Sequence, residues 1–198
     1  MFVIRFALLS SFFYALNVSM LPLIYTFEIS AFLFLFIRFG TTFFTSLIVT
    51  KSLFSFSEVK RQKLGIWILI LSILFGVQSW LYVEAVKYMS VGLASVVLFT
   101  YPLITYLIVS LLKRRSLDLI TILMFIVATL GIAAISQSSE GYYTMVIGIV
   151  LALLSALTYS LILILTPRVS ELKNWEIVKY TTLIPALTFL YLFINETG

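Results

Sequence analysis

The chain is predicted to be all-α: a polytopic membrane helix bundle, built as an inverted five-helix repeat with an incomplete second unit. Three observations predict this. Of its 198 residues, 62% are hydrophobic and only 11% charged, whereas a soluble domain is about 25% charged. That leaves too little polar surface to cover a water-soluble globule. The apolar residues run in continuous stretches of helix length, and the basic residues collect at alternate ends of those stretches.

A bilayer core about 30 Å thick takes roughly 20 apolar residues of helix to cross. Seven stretches meet that length: 4–25, 27–50, 64–87, 90–112, 117–137, 145–166 and 175–195. Membrane strands would be about 10 residues long and alternating, which these are not. The connections are short, the longest running from Lys51 to Lys63, so successive spans are expected to be antiparallel neighbours. The first span is read as a spanning helix. Its apolar run is too long for a signal peptide and no small-residue cleavage site follows.

The charges sort by side. One set of ends carries Arg5; Lys51, Lys60, Arg61 and Lys63; Lys113, Arg114 and Arg115; and Arg168, Lys173 and Lys179. That is 11 of the 13 basic residues. The opposite ends carry Glu28, Glu84 with Lys87, Glu140 and Glu196. The positive-inside bias places the N-terminus in the cytoplasm and Gly198 outside, in a plasma membrane. The basic excess is thus topology and not a nucleic-acid patch, although Lys60 to Lys63 and Lys113 to Arg115 also suit anionic lipid heads.

The sequence partly repeats. At a shift of 145, Ile4, Ala7, Leu8, Leu9, Ser10, Tyr14, Leu16 and Pro22 fall on Ile149, Ala152, Leu153, Leu154, Ser155, Tyr159, Leu161 and Pro167. The ordered Ser, Tyr and Pro matches carry the signal, since apolar helices share Ala, Leu and Ile by composition. Phe27-Glu28-Ile29 likewise resembles Trp175-Glu176-Ile177. A period of five spans is odd, so the two copies run oppositely through the membrane. Inverted copies with a substrate site between them characterise many secondary transporters. The expected units are 1–137 and a partial one over 145–198. The expectation is then that the chain is a fragment, or that a partner supplies the missing C-terminal helices; a homodimer is the other arrangement.

Four segments resemble the drug/metabolite transporter superfamily, in its EamA-type branch. Ile37-Arg38-Phe39 is similar to the family's Arg-Phe in helix 2. Tyr82-Val83-Glu84-Ala85-Val86-Lys87-Tyr88 resembles its helix 3 ending. Ser90-Val91-Gly92-Leu93-Ala94-Ser95 with Tyr101-Pro102-Leu103 resembles helix 4, and Leu130-Gly131-Ile132 the glycine of helix 5. The resemblance implies ten helices in two inverted units, with the N-terminus inside. This chain departs from it at Lys113-Arg114-Arg115, where many members carry Glu, and in lacking the last three helices.

Polar residues near the bilayer middle are the candidate substrate-binding set. Counting about 1.5 Å per residue from the outer ends, Arg38, Gln78 and Tyr101 lie about 15–16 Å deep. Tyr14 and Asn17 lie about 12–16 Å down the first span, and Tyr159 about 20 Å down the sixth. Arg38 is the most informative, because an Arg at mid-helix costs roughly 2.5–3.5 kcal/mol and belongs against protein or a wet cavity. A substrate anion, Gln78 or a backbone carbonyl are its candidate partners; a tie between helices is the alternative. Pro102 and Pro185 are expected to kink their helices and are the candidate hinges. Glu84 and Lys87 read as an interfacial i,i+3 pair. Trp80, Tyr82, Tyr142 and Tyr143 read as interfacial anchors. Ser90, Gly92, Ala94 and Ser95 read as small residues permitting close helix approach.

The function these features predict is secondary transport of small metabolites by alternating access, without catalytic residues, metal or other cofactor. The partners are the lipid bilayer and a small-molecule solute, with no nucleic acid. His and Cys are absent, and paired carboxylates at mid-depth are missing, so no acid–base set for an intramembrane enzyme is in view. Two alternatives stay open. One is a non-transporting or partner-dependent membrane subunit. The other is a seven-helix receptor or retinal-type protein, for which Lys179 would be the Schiff-base candidate.

Overall fold

The computed structural model describes Phe12 and residues 20–51, 64–114, 119–136 and 142–197. The elements are α1 (Leu21–Thr26), α2 (Ala31–Thr50), α3 (Gly65–Ala85), α4 (Val91–Leu98), α5 (Tyr101–Leu112), α6 (Leu119–Ser136), α7 (Tyr142–Leu165) and α8 (Asn174–Thr197), with a 3-10 turn at Thr166–Val169. Five described segments are long and apolar enough to cross a bilayer: Ala31–Thr50, Gly65–Ala85, Val91–Leu112, Met145–Val169 and Asn174–Glu196. The described residues form helices and connections with no strand among them. The expected all-α helix bundle is therefore what the chain forms.

Local chemistry sets the ends. Ser30 caps α2, its hydroxyl accepting from the Phe32 amide at 3.2 Å. Lys51 closes it in the left-handed conformation, with φ of 50°. Ser90 caps α4 by accepting from the Leu93 amide. The expected span over 90–112 is two helices, not one. It breaks at Phe99–Thr100, and Pro102 sits in the first turn of α5, where its missing N–H costs nothing. The other proline, Pro185, lies inside the continuous α8.

Hydroxyls within the spans are returned to their own helices. Thr42, Thr45, Thr158, Thr181 and Thr188 each donate to the carbonyl four residues back at 2.8–2.9 Å. With no water in the bilayer core, this satisfies each polar group inside its own helix.

In space the helices follow the order α2, α8, α3, α7, then α4 and α5 together, then α6 at the margin. The α2–α8 pair is the most extensive and is antiparallel. The Ser30 hydroxyl meets Glu196 at one end, and Phe32 and Phe39 of α2 both stack on Phe189 of α8. The α3–α8 pair closes where Gly76 faces the Pro185 ring. On α7, Gly148, Ala152, Ala156 and Ser160 recur every four residues and all are buried. This small-residue stripe lets α7 lie close against α3 and α5.

The architecture sorts charge as expected. Lys51, Lys113, Arg114, Arg168 and Lys173 lie at one end, while Glu28, Glu84, Lys87 and Glu196 lie at the other. Lys179 is a partial exception. It was counted with the basic end, yet its side chain is fully buried in α8.

Candidate functional site

Arg38 lies seven residues into α2 and is half-buried. It is near enough to Tyr82 of α3 to act electrostatically on the phenol. Tyr82 was read as an interfacial anchor, and the structure corrects this. Its side chain is 3% exposed, and its hydroxyl meets Ser95 Oγ of α4 at 2.8 Å. Trp80, two residues earlier, is 37% exposed. Two residues turn a helix by about 200°, so Trp80 faces outward where Tyr82 faces in. Ser95 also exceeds its expected spacer role: its hydroxyl donates to the Val91 carbonyl at 2.8 Å and meets Tyr82 as well. Tyr82 and Ser95 thus pair two hydroxyls from α3 and α4, and the Arg38 charge on α2 acts on them from a distance.

Below this cluster, Tyr101 of α5 and Tyr159 of α7 meet edge to face, ring centres 4.6 Å apart. These two sequence candidates, 58 residues apart, are brought into direct contact. The Tyr101 backbone carbonyl accepts from Ser160 Oγ at 3.0 Å and so fixes α5 on α7 just beyond the α4–α5 break.

Gln78 is placed differently. It is buried in α3 and spends its amide on neighbours: Nε2 donates to Ser155 Oγ at 3.2 Å, and Oε1 accepts from Ser79 at 3.3 Å. Its observed bonds tie α3 to α7. The side chains of Tyr14, Asn17, Tyr142 and Tyr143 lie outside the described residues, as do Lys60 to Lys63. Glu84 and Lys87 form the expected ion pair at 2.8 Å, with Lys87 side chain 41% exposed.

Two cavities among the described residues are lined by none of Arg38, Tyr82 and Ser95. One of about 280 Å³ is lined by Pro22, Tyr25, Lys87, Ser90 and their neighbours. Tyr25 fixes its wall by donating to the Val83 carbonyl at 2.7 Å, one residue from Tyr82. The other, about 390 Å³, is an apolar groove between α3 and α8 around Gly76, Trp80 and Pro185. Among the described residues no group of three or more metal-ligating side chains comes together. The Ser95 proton goes to the Val91 carbonyl and the Tyr82 proton to Ser95, so what this region offers an anionic group is the positive charge of Arg38.

The model of the EamA-like transporter family matches residues 1–137, more than two thirds of the chain. The chain belongs to the EamA-like transporter family. Membership makes it a membrane transporter of the drug/metabolite kind. With five apolar spans, this EamA-like protein is an integral multi-pass membrane protein. No curated protein and no solved structure matches it. The family match covers Arg38, Gln78, Tyr82, Ser95 and Tyr101, and stops short of Tyr159 and Lys179. Tyr82 and Ser95 were the residues missed as site candidates. Each carries a hydroxyl within a helix, Tyr82 one span and Ser95 two spans on from Arg38, but the sequence alone did not say which way they point.

Proposed function

We propose that this EamA-like protein is a secondary transporter of small anionic or zwitterionic metabolites, working by alternating access without hydrolysing ATP. One observation carries the reading: a half-buried Arg38 within a membrane span, on the helix Ala31–Thr50. A charge at that depth is costly to hold and belongs on a solute path by default. Solute enters from the pocket lined by Tyr25, Lys87 and Ser90, meets Arg38, Tyr82 and Ser95, and passes Tyr101 and Tyr159.

Residues 1–137 are the first unit, and 145–198 belong to a second unit of opposite orientation. The antiparallel pairing of α2 with α8 supports this, since those are the helices that the repeat relates. The break beside Pro102, within the first unit, and the Pro185–Gly76 contact between the two units serve as hinges. The charge bias orients the protein in the plasma membrane with its N-terminus in the cytoplasm.

Uptake of radiolabelled anionic, zwitterionic and cationic metabolites into proteoliposomes tests the reading. Saturable uptake of the first two classes is expected, falling about tenfold to a hundredfold in Arg38→Ala, the range for losing a charged hydrogen bond. Unchanged uptake in that variant would remove Arg38 from the mechanism.

A further inference from the structure

We propose that the basic end of the bundle holds an anionic phospholipid headgroup at Arg168. The argument starts from how that side chain is fixed. Arg168 stands in the 3-10 turn that follows α7, and its guanidinium lies 5.2 Å from the centre of the Trp67 ring in the first turn of α3. Trp67 is half-buried while Arg168 is exposed. That distance is within cation–π range, so the indole restrains the exposed guanidinium. The restraint also spares part of the side-chain entropy that a free Arg would lose on binding. A guanidinium held at the membrane boundary carries a planar donor fork that matches two phosphate oxygens.

The surroundings select for charge. Lys51, Lys113, Arg114 and Lys173 are exposed at the same end. Only Glu171 and Glu176 oppose them among the described residues, and Glu176 is turned to the Lys173 backbone amide at 3.4 Å. At the opposite end Lys87 is spent on Glu84 and the other described charges are acidic. Charge complementarity therefore assigns the lipid to one leaflet. An orienting charge bias needs only basic residues in the loops; a guanidinium held against an indole goes beyond that need, and this inference stands apart from the transport mechanism.

Native mass spectrometry of the purified full chain tests it, with phosphatidylglycerol and phosphatidylcholine of identical acyl chains added in turn. Phosphatidylglycerol should be retained about fivefold more strongly, as expected for one basic side chain at an anionic headgroup. Arg168→Gln should remove most of that preference, and Arg168→Lys, which keeps the charge without the fork, should remove less of it. Equal retention of the two lipids by the unmodified protein would overturn the proposal. So would a preference that survives unchanged in Arg168→Gln.

Discussion

Gln78 and Ser155 exchange two hydrogen bonds across the α3–α7 interface: the amide donates to the hydroxyl at 3.2 Å, and the hydroxyl donates to the Gln78 backbone carbonyl at 3.0 Å. Ser155 is fully buried. Ser155→Ala removes both bonds and takes the Ser155 partner from the buried Gln78 Nε2, while Oε1 keeps its bond from Ser79. Interhelical bonds in membranes average about 0.6 kcal/mol, and an orphaned buried group raises the cost. The variant should lose about 1–2 kcal/mol, read as a lower unfolding midpoint in detergent with helix content unchanged.

Tyr82→Phe isolates the hydroxyl of the central cluster. The ring stays and continues to fill the core beside Phe39 and Ala94. The bond to Ser95 is lost. If the hydroxyl acts on solute through Arg38, solute KM should rise several-fold with the unfolding midpoint nearly unmoved, because a net hydrogen bond is worth about 0.5–1.5 kcal/mol. Equal uptake kinetics in the two proteins would make Tyr82 a packing residue only.

Trp80 and Tyr82 also show where sequence reading stops. Spans two, three, six and seven were legible to within a few residues, because continuous apolar length decides them. The break at Phe99–Thr100 was foreshadowed by Pro102. Facing was not legible. In water an amphipathic pattern tells the buried side of a helix, but in lipid both sides of α3 are apolar, so two aromatics two residues apart read alike. The same blindness applies to Lys179, counted as an end charge and found buried. Helix pairing was not legible: short connections suggested that successive spans are neighbours, whereas α2 lies chiefly against α8, and α3 lies between α8 and α7.

Gly148 should tolerate no side chain. A Cβ there would sit 3.0 Å from Met89 Cγ, 3.1 Å from Tyr88 Cβ and 3.2 Å from the Ala85 carbonyl oxygen. Met89 can move, but the backbone oxygen cannot without shifting the end of α3. Gly148→Ala is expected to cost about 1–3 kcal/mol, the range for overpacking. Gly92→Ala is the matched control: nothing lies within 4 Å of its Cβ, and alanine favours helix there. Thermal unfolding of the two variants should move in opposite directions.

Glu84→Gln should do little. The Glu84–Lys87 pair is short at 2.8 Å, yet the lysine side chain is 41% exposed and the two lie three residues apart near the helix end. Such pairs are worth a few tenths of a kcal/mol. Stability should change by less than about 0.5 kcal/mol, and uptake should keep its pH profile. A lost pH dependence in Glu84→Gln would instead assign this carboxylate to proton coupling.

The antiparallel α2–α8 pair is the contact on which the two-unit reading depends, and cross-linking can check it directly. The chain has no cysteine, so introduced thiols report without background. Ser30 at the start of α2 touches Glu196 near the end of α8, and α2 and α8 then run past each other with Phe39 against Phe189. In Ser30→Cys/Glu196→Cys, a short bifunctional thiol reagent should join the two peptides in membranes, identified by mass spectrometry after digestion. Moving the second cysteine to Lys173 places it at the other end of α8, more than 20 residues away along an element that rises about 1.5 Å per residue, or roughly 30 Å off. That pair should not join. Efficient linkage of the distant pair, or none in the near one, would mean that α8 does not lie antiparallel along α2, and the proposed relation between the two units would fall with it.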